Sequence, residues 1–284
     1  MKIVRFGPAG AERPGLLTPT GEIRDLSTVL PDWDATRLSP DFLARIRTLD
    51  LQALPKAPAG ARLGVPWHGI GKFIAIGMNY TDFATEANRT APKEPVIFTK
   101  ATSCITGPDD PVVLPPGSVK TDWEVELGVA IGTRARYVTE CEALQHVAGY
   151  CLVNDLSERE YQNDRGGTWD KGKGCDTFGP IGPWLVSTDE LTDPQTVDLW
   201  LEVNGQRHQQ GHTSNMFFSV AHLVAYVSQF MTLEPGDLLA TGTPAGVGAN
   251  HKPEPLYLRA GDEMRLGSAL LGTQHHRIIP WSKP

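Results

Sequence analysis

The chain has 284 residues, with 26 Lys and Arg against 33 Asp and Glu, which gives a formal charge of -7. Hydrophobic residues make up 40% and charged residues 21%, a composition that supports a folded core and excludes a largely disordered chain. The sequence contains neither the basic stripe of a nucleic-acid-binding protein nor the run of about 20 apolar residues needed to cross a bilayer.

The cysteines and the first residues bear on where the protein works. Cys104, Cys141, Cys151 and Cys175 lack the C-x-x-C spacing of zinc and redox sites. The opening MKIVRFGPAGAERPG reaches Gly and Pro before the apolar core of a secretory signal could form. We therefore expect a cytoplasmic protein with neither a membrane nor a nucleic acid as its partner.

Two domains are predicted: a small α/β amino-terminal domain over residues 1–70, and a catalytic domain over residues 71–284. The stretch LPKAPAGARLGVP, which is rich in Pro, Ala and Gly, is typical of a linker or a surface loop. It places a soft boundary near Gly69–Lys72. The alternative is an amino-terminal lobe that packs tightly on the rest and is not separable.

Secondary structure in the amino-terminal part is predicted from turn and capping signals. Short strands joined by turns are indicated for MKIVRFG and PGLLTPTGEIRDL. A helix is indicated for LSPDFLARIRTLD, in which the apolar residues recur at helical spacing behind a candidate cap at Ser39.

Beyond Phe73 the apolar runs are short and rich in strand-forming residues, which predicts strands separated by turns. These runs are FIAIGMNY, PVIFTKA, PVVLP, WEVELGVAIG, AGYCLVND, PWLVS, LWLEVNG and DLLATG. A helical pattern occurs in CEALQHVAG and in SNMFFSVAHLVAYVSQFM, and the second predicts a helix of about 14 residues or more. The predicted fold class is therefore α/β and β-rich.

The segment WEVELGVAIG carries two carboxylates. Side chains alternate between the faces of a strand, so Glu124 and Glu126 would share one face about 7 Å apart. Gly128 and Ala130 follow on that face and would leave room for a bulky group. Two like charges on a half-buried strand repel unless a cation or a proton lies between them. The pattern indicates a hard divalent cation with oxygen ligands; an ordinary solvated strand face is the alternative.

A third carboxylate, Asp155, ends the apolar strand VAGYCLVND. If LSEREYQ is helical, with Asp155 or Ser157 as its cap, then Asp155, Arg159 and Gln162 fall on one helix face. Arg can clasp a carboxylate through two hydrogen bonds, so this face suits a metal and a carboxylate substrate. The alternative is a capping Asp with an ordinary intrahelical ion pair.

Two glycine-rich segments follow. The first, GGTWDKGKGCDTFGPIGPW, is predicted to be a loop whose Lys171 or Lys173 could stabilise an enolate near the carboxylates; solvated surface lysines are the alternative. The second, LATGTPAGVG, is neither a Walker A loop nor a Rossmann fingerprint. Its backbone N–H groups and the hydroxyl of Thr243 could bind an anion; a plain tight turn is the alternative.

Taken together, these segments resemble the fumarylacetoacetate hydrolase superfamily. The resemblance is carried, in chain order, by the entrance segment GMNYTDFATE, then PVIFTKATS, DWEVELG, VNDLSEREYQ, KGCDTFGPIGPW and TGTPAGVG. It covers about residues 70–270, and the amino-terminal part resembles the small first domain of bacterial members. Within the superfamily, the chain resembles acylpyruvases and bacterial enzymes of sugar acid catabolism that cleave 2,4-diketo-3-deoxy sugar acids.

The resemblance implies a mixed β-roll catalytic domain that forms a homodimer or a higher homo-oligomer and uses Mg²⁺ or Mn²⁺. The implied metal ligands are Glu124, Glu126 and Asp155. The implied substrate contacts are Asn79, Tyr80, Phe83, Arg159, Gln162, Lys173 and Thr243. The implied substrates are small oxo acids with a β-dicarbonyl or enol group that chelates the metal.

The sequence departs from the family pattern at Phe83. Hydrolytic members often carry His there, in N-Y-x-D-H-x-x-E, and that His activates water together with the Glu, which is Glu86 in this chain. Since Phe cannot accept a proton, either Glu86 works alone or another base serves, with His212 and His251 as candidates. On a short helix, Phe83 and Glu86 would share a face and both point at the substrate.

We therefore expect hydrolysis of a C–C bond in a small β-diketo acid. Water activated by Glu86 or by the metal would attack the distal carbonyl, while Lys173 and the metal stabilise an enolate that becomes a pyruvate-like product. Isomerisation, tautomerisation or decarboxylation on the same site needs no activated water and is the alternative. A non-catalytic member that binds oxo acids is a third reading.

Overall fold

The computed structural model describes residues 1–283. Its strands are β1 (Lys2–Phe6), β2 (Arg13–Leu17), β3 (Ile23–Asp25), β4 (Phe73–Gly77), β5 (Val96–Lys100), β6 (Ile105–Thr106), β7 (Val112–Leu114), β8 (Thr121–Asp122), β9 (Val125–Ile131), β10 (Val147–Asn154), β11 (Ser157–Glu158), β12 (Gly179–Ser187), β13 (Asp198–Val203), β14 (Gln206–His212), β15 (Leu238–Ala240), β16 (Glu263–Ser268) and β17 (Gly272–Pro280). Its helices are α1 (Pro40–Arg47), α2 (Thr81–Glu86), α3 (Glu140–Ala143), α4 (Arg159–Asn163), α5 (Asp170–Lys173) and α6 (Val220–Ser228).

Two large sheets organise the fold. The ten-stranded sheet has the order β3-β2-β1-β12-β10-β9-β15-β4-β5, with β6 beside β12, and the five-stranded sheet has the order β14-β13-β16-β17-β7. Most pairs are antiparallel, whereas β15 pairs with β4, β12 with β6 and β17 with β7 in parallel. The sheets pack through β17 against β12 and β13 against β9. This strand-rich α/β architecture with mixed sheets confirms the predicted fold class.

Residues 1–70 contribute strands to the large sheet. Strand β1 pairs antiparallel with β12, and the indole N–H of Trp67 donates to the carbonyl of Gly236 at 2.9 Å. Helix α1 begins after Ser39, whose hydroxyl accepts from the Phe42 N–H at 3.3 Å. The predicted boundary near residue 70 stays a prediction, since one sheet continues across it.

Two helical predictions differ from the structure. The helix of about 14 residues or more predicted within SNMFFSVAHLVAYVSQFM is only the nine-residue α6. It begins late because Ser219 caps it by accepting from the His222 N–H. A separate 3₁₀ turn, Thr213–Asn215, lies upstream. The segment predicted as a loop contains α5, which ends at Lys173 and buries that side chain.

Strand β9 runs between β10 and β15 near the middle of the large sheet, and all of its residues are buried. The space beside Gly128 is filled, since a Cβ there would lie 2.6 Å from Val153 and 2.9 Å from Cys151. The predicted room for a bulky group is therefore occupied by the protein's own core.

Across residues 1–283, every helix falls short of the length and apolarity that a bilayer crossing requires.

Candidate active site

Three carboxylates meet where β9 begins and β10 ends. The antiparallel pairing of these strands sets Glu126 opposite Val153 and brings the end of β10 beside Glu124. The Asp155 N–H donates to the Glu124 carbonyl at 2.9 Å, which locks the two backbones together. One oxygen each from Glu124, Glu126 and Asp155 lies within 4.8 Å of the others, and the side chains are buried. The cluster could hold a metal ion.

Two buried lysines lie against this acidic cluster. The Nζ atom of Lys173 donates to Glu124 Oε2 and to Asp155 Oδ2, both at 2.7 Å. The Nζ atom of Lys100 donates to Asp155 Oδ1 at 2.6 Å. Although burial opposes ionisation, the two ammonium groups hold the pKa of Asp155 below its usual value. Asp155 is therefore a carboxylate near neutral pH.

Glu126 is less well compensated than Asp155. Its Oε2 atom accepts from the Gly242 N–H at 2.8 Å. Burial, followed by repulsion from Asp155 and Glu124, raises the pKa of Glu126 well above its usual value. A divalent cation among these oxygen atoms would offset that repulsion and favour the ionised carboxylate of Glu126.

Arg159 and Gln162 lie beside the cluster at the start of α4. The Arg159 Nη2 atom donates to Glu124 Oε1 at 2.6 Å and pairs with Asp122 Oδ2 at 2.7 Å, while its Nη1 donates to Gln162 Oε1 at 3.2 Å. The two acidic partners raise the pKa of Arg159 against the opposing effect of burial. Asp122 itself accepts from the Gly248 and Ala249 N–H groups.

The predicted helix face containing Asp155 is wrong. Helix α4 begins at Arg159 with Glu158 as its cap, because Ser157 and Glu158 form the short strand β11 against β8. Asp155 therefore lies outside the helix. Asp155 directly follows β10, and hydrogen bonds from Lys100 and Lys173 hold its carboxylate at the site.

A cavity of about 200 Å³ opens over these groups. Its polar lining includes Glu124, Glu126, Arg159, Gln162, Lys173 and Thr243. Its apolar lining includes Ile76, Met78, Phe83, Phe98, Trp169 and Val247. Phe98 and Trp169 meet edge to face with their ring centroids 5.0 Å apart. A small ligand here would face charge on one side and an apolar wall on the other.

The cavity is lined by only one of three predicted substrate contacts, which are Thr243, Asn79 and Tyr80. The Thr243 hydroxyl donates to the Val125 carbonyl at 2.9 Å and accepts from Gln209, so its proton is already engaged. Asn79 is fully buried and donates to the carbonyls of Phe218 and Thr241. Tyr80 is also fully buried, and neither it nor Asn79 lines the cavity.

Phe83 and Glu86 both lie on helix α2, but they line different cavities. Phe83 lines the cavity above the carboxylates, whereas Glu86 lines a second cavity of about 350 Å³ together with His208 and His251. Both oxygens of Glu86 accept from the Gly246 N–H at 3.1 Å. The prediction that both side chains point at one site therefore differs from the structure. His212 is bonded to Ser214 and lines neither cavity.

Sequence reasoning missed Lys100, Asp122 and the Phe98–Trp169 pair. Lys100 ends the apolar run PVIFTK, and a lysine that ends such a run is an unusual candidate for burial. Asp122 directly precedes the acidic strand segment but had no assigned role. Of the two predicted lysines, Lys171 is exposed and donates to the Arg165 carbonyl.

Comparison with known proteins gives consistent results. The family model described as fumarylacetoacetate (FAA) hydrolase C-terminal matches residues 72–279. A Burkholderia ambifaria (strain MC40-6) protein with the provisional name of hydrolase is 58% identical over 274 residues, which is 96% of this chain and 97% of that protein.

Two solved structures share the whole fold. The maleylpyruvate hydrolase of Sphingobium sp. SYK-6, in complex with manganese(II) and pyruvate, has a TM-score of 0.81 and 29% identity, covering 99% of this chain and all of that one. The 5-carboxymethyl-2-hydroxymuconate delta-isomerase of Mycobacterium smegmatis has a TM-score of 0.79 and 31% identity, covering both chains completely.

Proposed function

The chain belongs to the fumarylacetoacetate hydrolase family, and from that premise we propose that it is a divalent-metal-dependent hydrolase of a small 2,4-dioxo acid. The reaction cleaves a C–C bond and releases a pyruvate-like product. One observation supports this reaction most: a buried acidic cluster and Lys173 lie together beneath a cavity with an apolar wall.

The donor set suits Mg²⁺ or Mn²⁺. Glu124, Glu126 and Asp155 provide carboxylate oxygens alone, which hard cations prefer to the His and Cys ligands typical of Zn²⁺. Such a cation, when bound, would supply Lewis acidity for the 2-oxo acid and lower the pKa of a water molecule. The manganese in the maleylpyruvate hydrolase complex is consistent with this choice.

Arg159 and Gln162 are the proposed partners of the substrate carboxylate. Arg159 already uses Nε and Nη2 on Asp122 and Glu124, which fixes the plane of its guanidinium group. One Nη1 hydrogen and the Gln162 amide remain to donate to a ligand in the cavity. These two donors would orient the 2-oxo acid end over the carboxylates.

Lys173 is the proposed partner of the enolate. Water adds to the distal carbonyl, the adjacent C–C bond breaks, and its electron pair forms a pyruvate enolate that then takes a proton. The Lys173 ammonium would stabilise the negative oxygen that develops in this step. Phe83, Phe98 and Trp169 would keep bulk water from the enolate, which strengthens that interaction.

Isomerisation or decarboxylation is the alternative on the same site. It is favoured by the similarity to the delta-isomerase and by Phe83, which cannot accept a proton. Both reactions use the enolate but require no attack by water.

Turnover in ¹⁸O-labelled water separates the two reactions. We expect one solvent oxygen in the newly formed carboxylate, because only hydrolysis transfers oxygen from water to the product. Mass spectrometry of the products makes the measurement, with substrate incubated without enzyme as the exchange control. Products that form at the enzymatic rate without the label would reject hydrolysis and favour the alternative.

Phe83→His adds a proton acceptor to the cavity wall. We expect faster hydrolysis of simple acylpyruvates, since a positioned base contributes to water attack. Phe83→Leu is the matched control, because it alters the wall without adding a base. Equal rates for the His and Leu variants would show that position 83 does not influence water activation.

A further inference from the structure

The entrance helix α2 holds its two distinctive side chains in different cavities, with Phe83 above the carboxylates and Glu86 beyond Val247. We infer that Glu86 is a positioning residue that fastens α2 over the active cavity, rather than the base that activates water. The inference rests on the proposed function in one respect: in this position α2 supplies Phe83 to the wall that would shield the enolate.

The first fastening point is Gly246. Its N–H donates to both Glu86 oxygens at 3.1 Å, and its carbonyl accepts from the indole N–H of Trp123 at 3.0 Å. Gly246 has a φ of 102°, and a Cβ there would lie 1.9 Å from the His208 carbonyl, so only glycine fits. Trp123 is fully buried next to the proposed ligand Glu124. The N–H that Glu86 accepts from is therefore held rigidly.

The second fastening point is Asn250. Its side-chain amide donates to Glu86 Oε2 at 3.2 Å. Asn250 ends the 3₁₀ turn Gly248–Asn250, in which the Gly248 and Ala249 N–H groups hold Asp122 at 2.7 and 3.0 Å. Asp122 in turn pairs with Arg159. The 246–250 loop thus contacts α2 through Glu86 and, through Asp122, supports Arg159, the proposed partner of the substrate carboxylate.

The contacts of the Glu86 oxygens favour a role in positioning α2 over a role in proton transfer. A general base must lie within hydrogen-bond reach of the proton it removes, directly or through one water. Both oxygens of Glu86 are instead taken by the Gly246 N–H and the Asn250 amide. Asn250 lines both cavities, whereas Glu86 lines only the second. These hydrogen bonds hold α2 where Phe83 lines the first cavity.

The two roles predict different results for Glu86→Gln and Glu86→Ala. Gln keeps a carbonyl oxygen that can accept from Gly246 but cannot serve as a base near neutral pH, whereas Ala loses both functions. Fastening predicts a KM increase of about 3-fold or more for Glu86→Ala, the scale of contacts to an exposed carboxylate, and a smaller change for Glu86→Gln. A base role predicts a kcat loss of about 100-fold or more in both variants.

Hydrogen exchange of the backbone tests fastening without any turnover. The Ala84 and Ala87 N–H groups are bonded within the turns of α2, to Tyr80 and Phe83. In the protein with Mn²⁺ and oxalate, we expect exchange over residues 81–89 to be about 3-fold faster or more in Glu86→Ala, and near the wild-type rate in Glu86→Gln. The control is Glu94→Ala, which removes a surface carboxylate bonded to Tyr226 that lines neither cavity.

Each result decides the question. If hydrogen exchange over residues 81–89 were unchanged in Glu86→Ala, fastening would be overturned. It would also be overturned if Glu86→Gln and Glu86→Ala lost kcat equally while exchange in Glu86→Gln stayed at the wild-type rate. If the wild-type protein turned over no dioxo acid, the proposed function would fail, yet the exchange rates would still support or reject fastening.

Discussion

Lys173→Met is expected to lower kcat by about 100-fold or more, the scale of losing one preorganised partner of a developing negative charge. The ammonium lies 2.7 Å from both Glu124 and Asp155 and is buried at the floor of the cavity, so its charge acts directly on a ligand there. Met preserves most of the side-chain length and removes the charge. The decisive measurement is kcat at saturating metal and substrate, because removal of Lys173 also changes the electrostatics of the proposed metal ligands.

Lys171→Met is the matched control for this substitution. Lys171 lies on the same short helix, but its side chain is exposed and donates only to the Arg165 carbonyl at 2.7 Å. We expect its kinetic constants to stay near those of the wild-type enzyme. If Lys173→Met changed KM alone, Lys173 would contribute equally to ground-state and transition-state binding, and its role in stabilising the enolate would be rejected.

Removal of divalent cations is expected to abolish activity, and Mg²⁺ or Mn²⁺ to restore it. Three buried carboxylates without a His or Cys ligand favour these cations over Zn²⁺. Activity is measured after exhaustive treatment with EDTA and again after each metal is added. Full activity of the metal-free protein would reject the proposed mechanism.

Glu126→Gln tests the ligand assignment separately. It removes one ligand charge while preserving shape, and we expect Mn²⁺ affinity to fall by at least about 10-fold, since altering a partner of a ligand already costs that much. Electron paramagnetic resonance of free Mn²⁺ measures the affinity without turnover. Glu140→Gln is the control, because Glu140 is exposed and pairs with His222 at the surface. Equal affinities for the two variants would show that Glu126 is not a ligand.

Local sequence pattern was sufficient for several elements of the fold. The cap at Ser39 marked the start of α1, and the apolar runs after Phe73 marked strands that the sheets contain. Alternation along a strand correctly grouped Glu124 with Glu126, because side-chain direction depends only on neighbouring backbone angles. These features involve residues a few positions apart, so the sequence alone carries the information.

Helical spacing gave a wrong prediction where the same residues can form either a helix or a strand. The segment after Asp155 has helix-forming residues, yet Ser157 and Glu158 pair with β8 before α4 begins. The pairing depends on a strand more than 30 residues upstream, which helical spacing cannot reveal. As a result, Asp155 joined the cluster through the sheet rather than through a helix face.

The sequence by itself determined the family, the β-rich fold class and the three carboxylates, since each is written in local motifs and alternation. Only the tertiary structure decided which groups surround those carboxylates and where Glu86 points. Lys100 reaches Asp155 across 55 residues, and Glu86 reaches Gly246 across 160. Such contacts exist because strand pairing and loop packing bring distant segments together. Lys100 then meets a buried carboxylate and Glu86 a backbone N–H group at the surface, neither of which local sequence pattern can reveal.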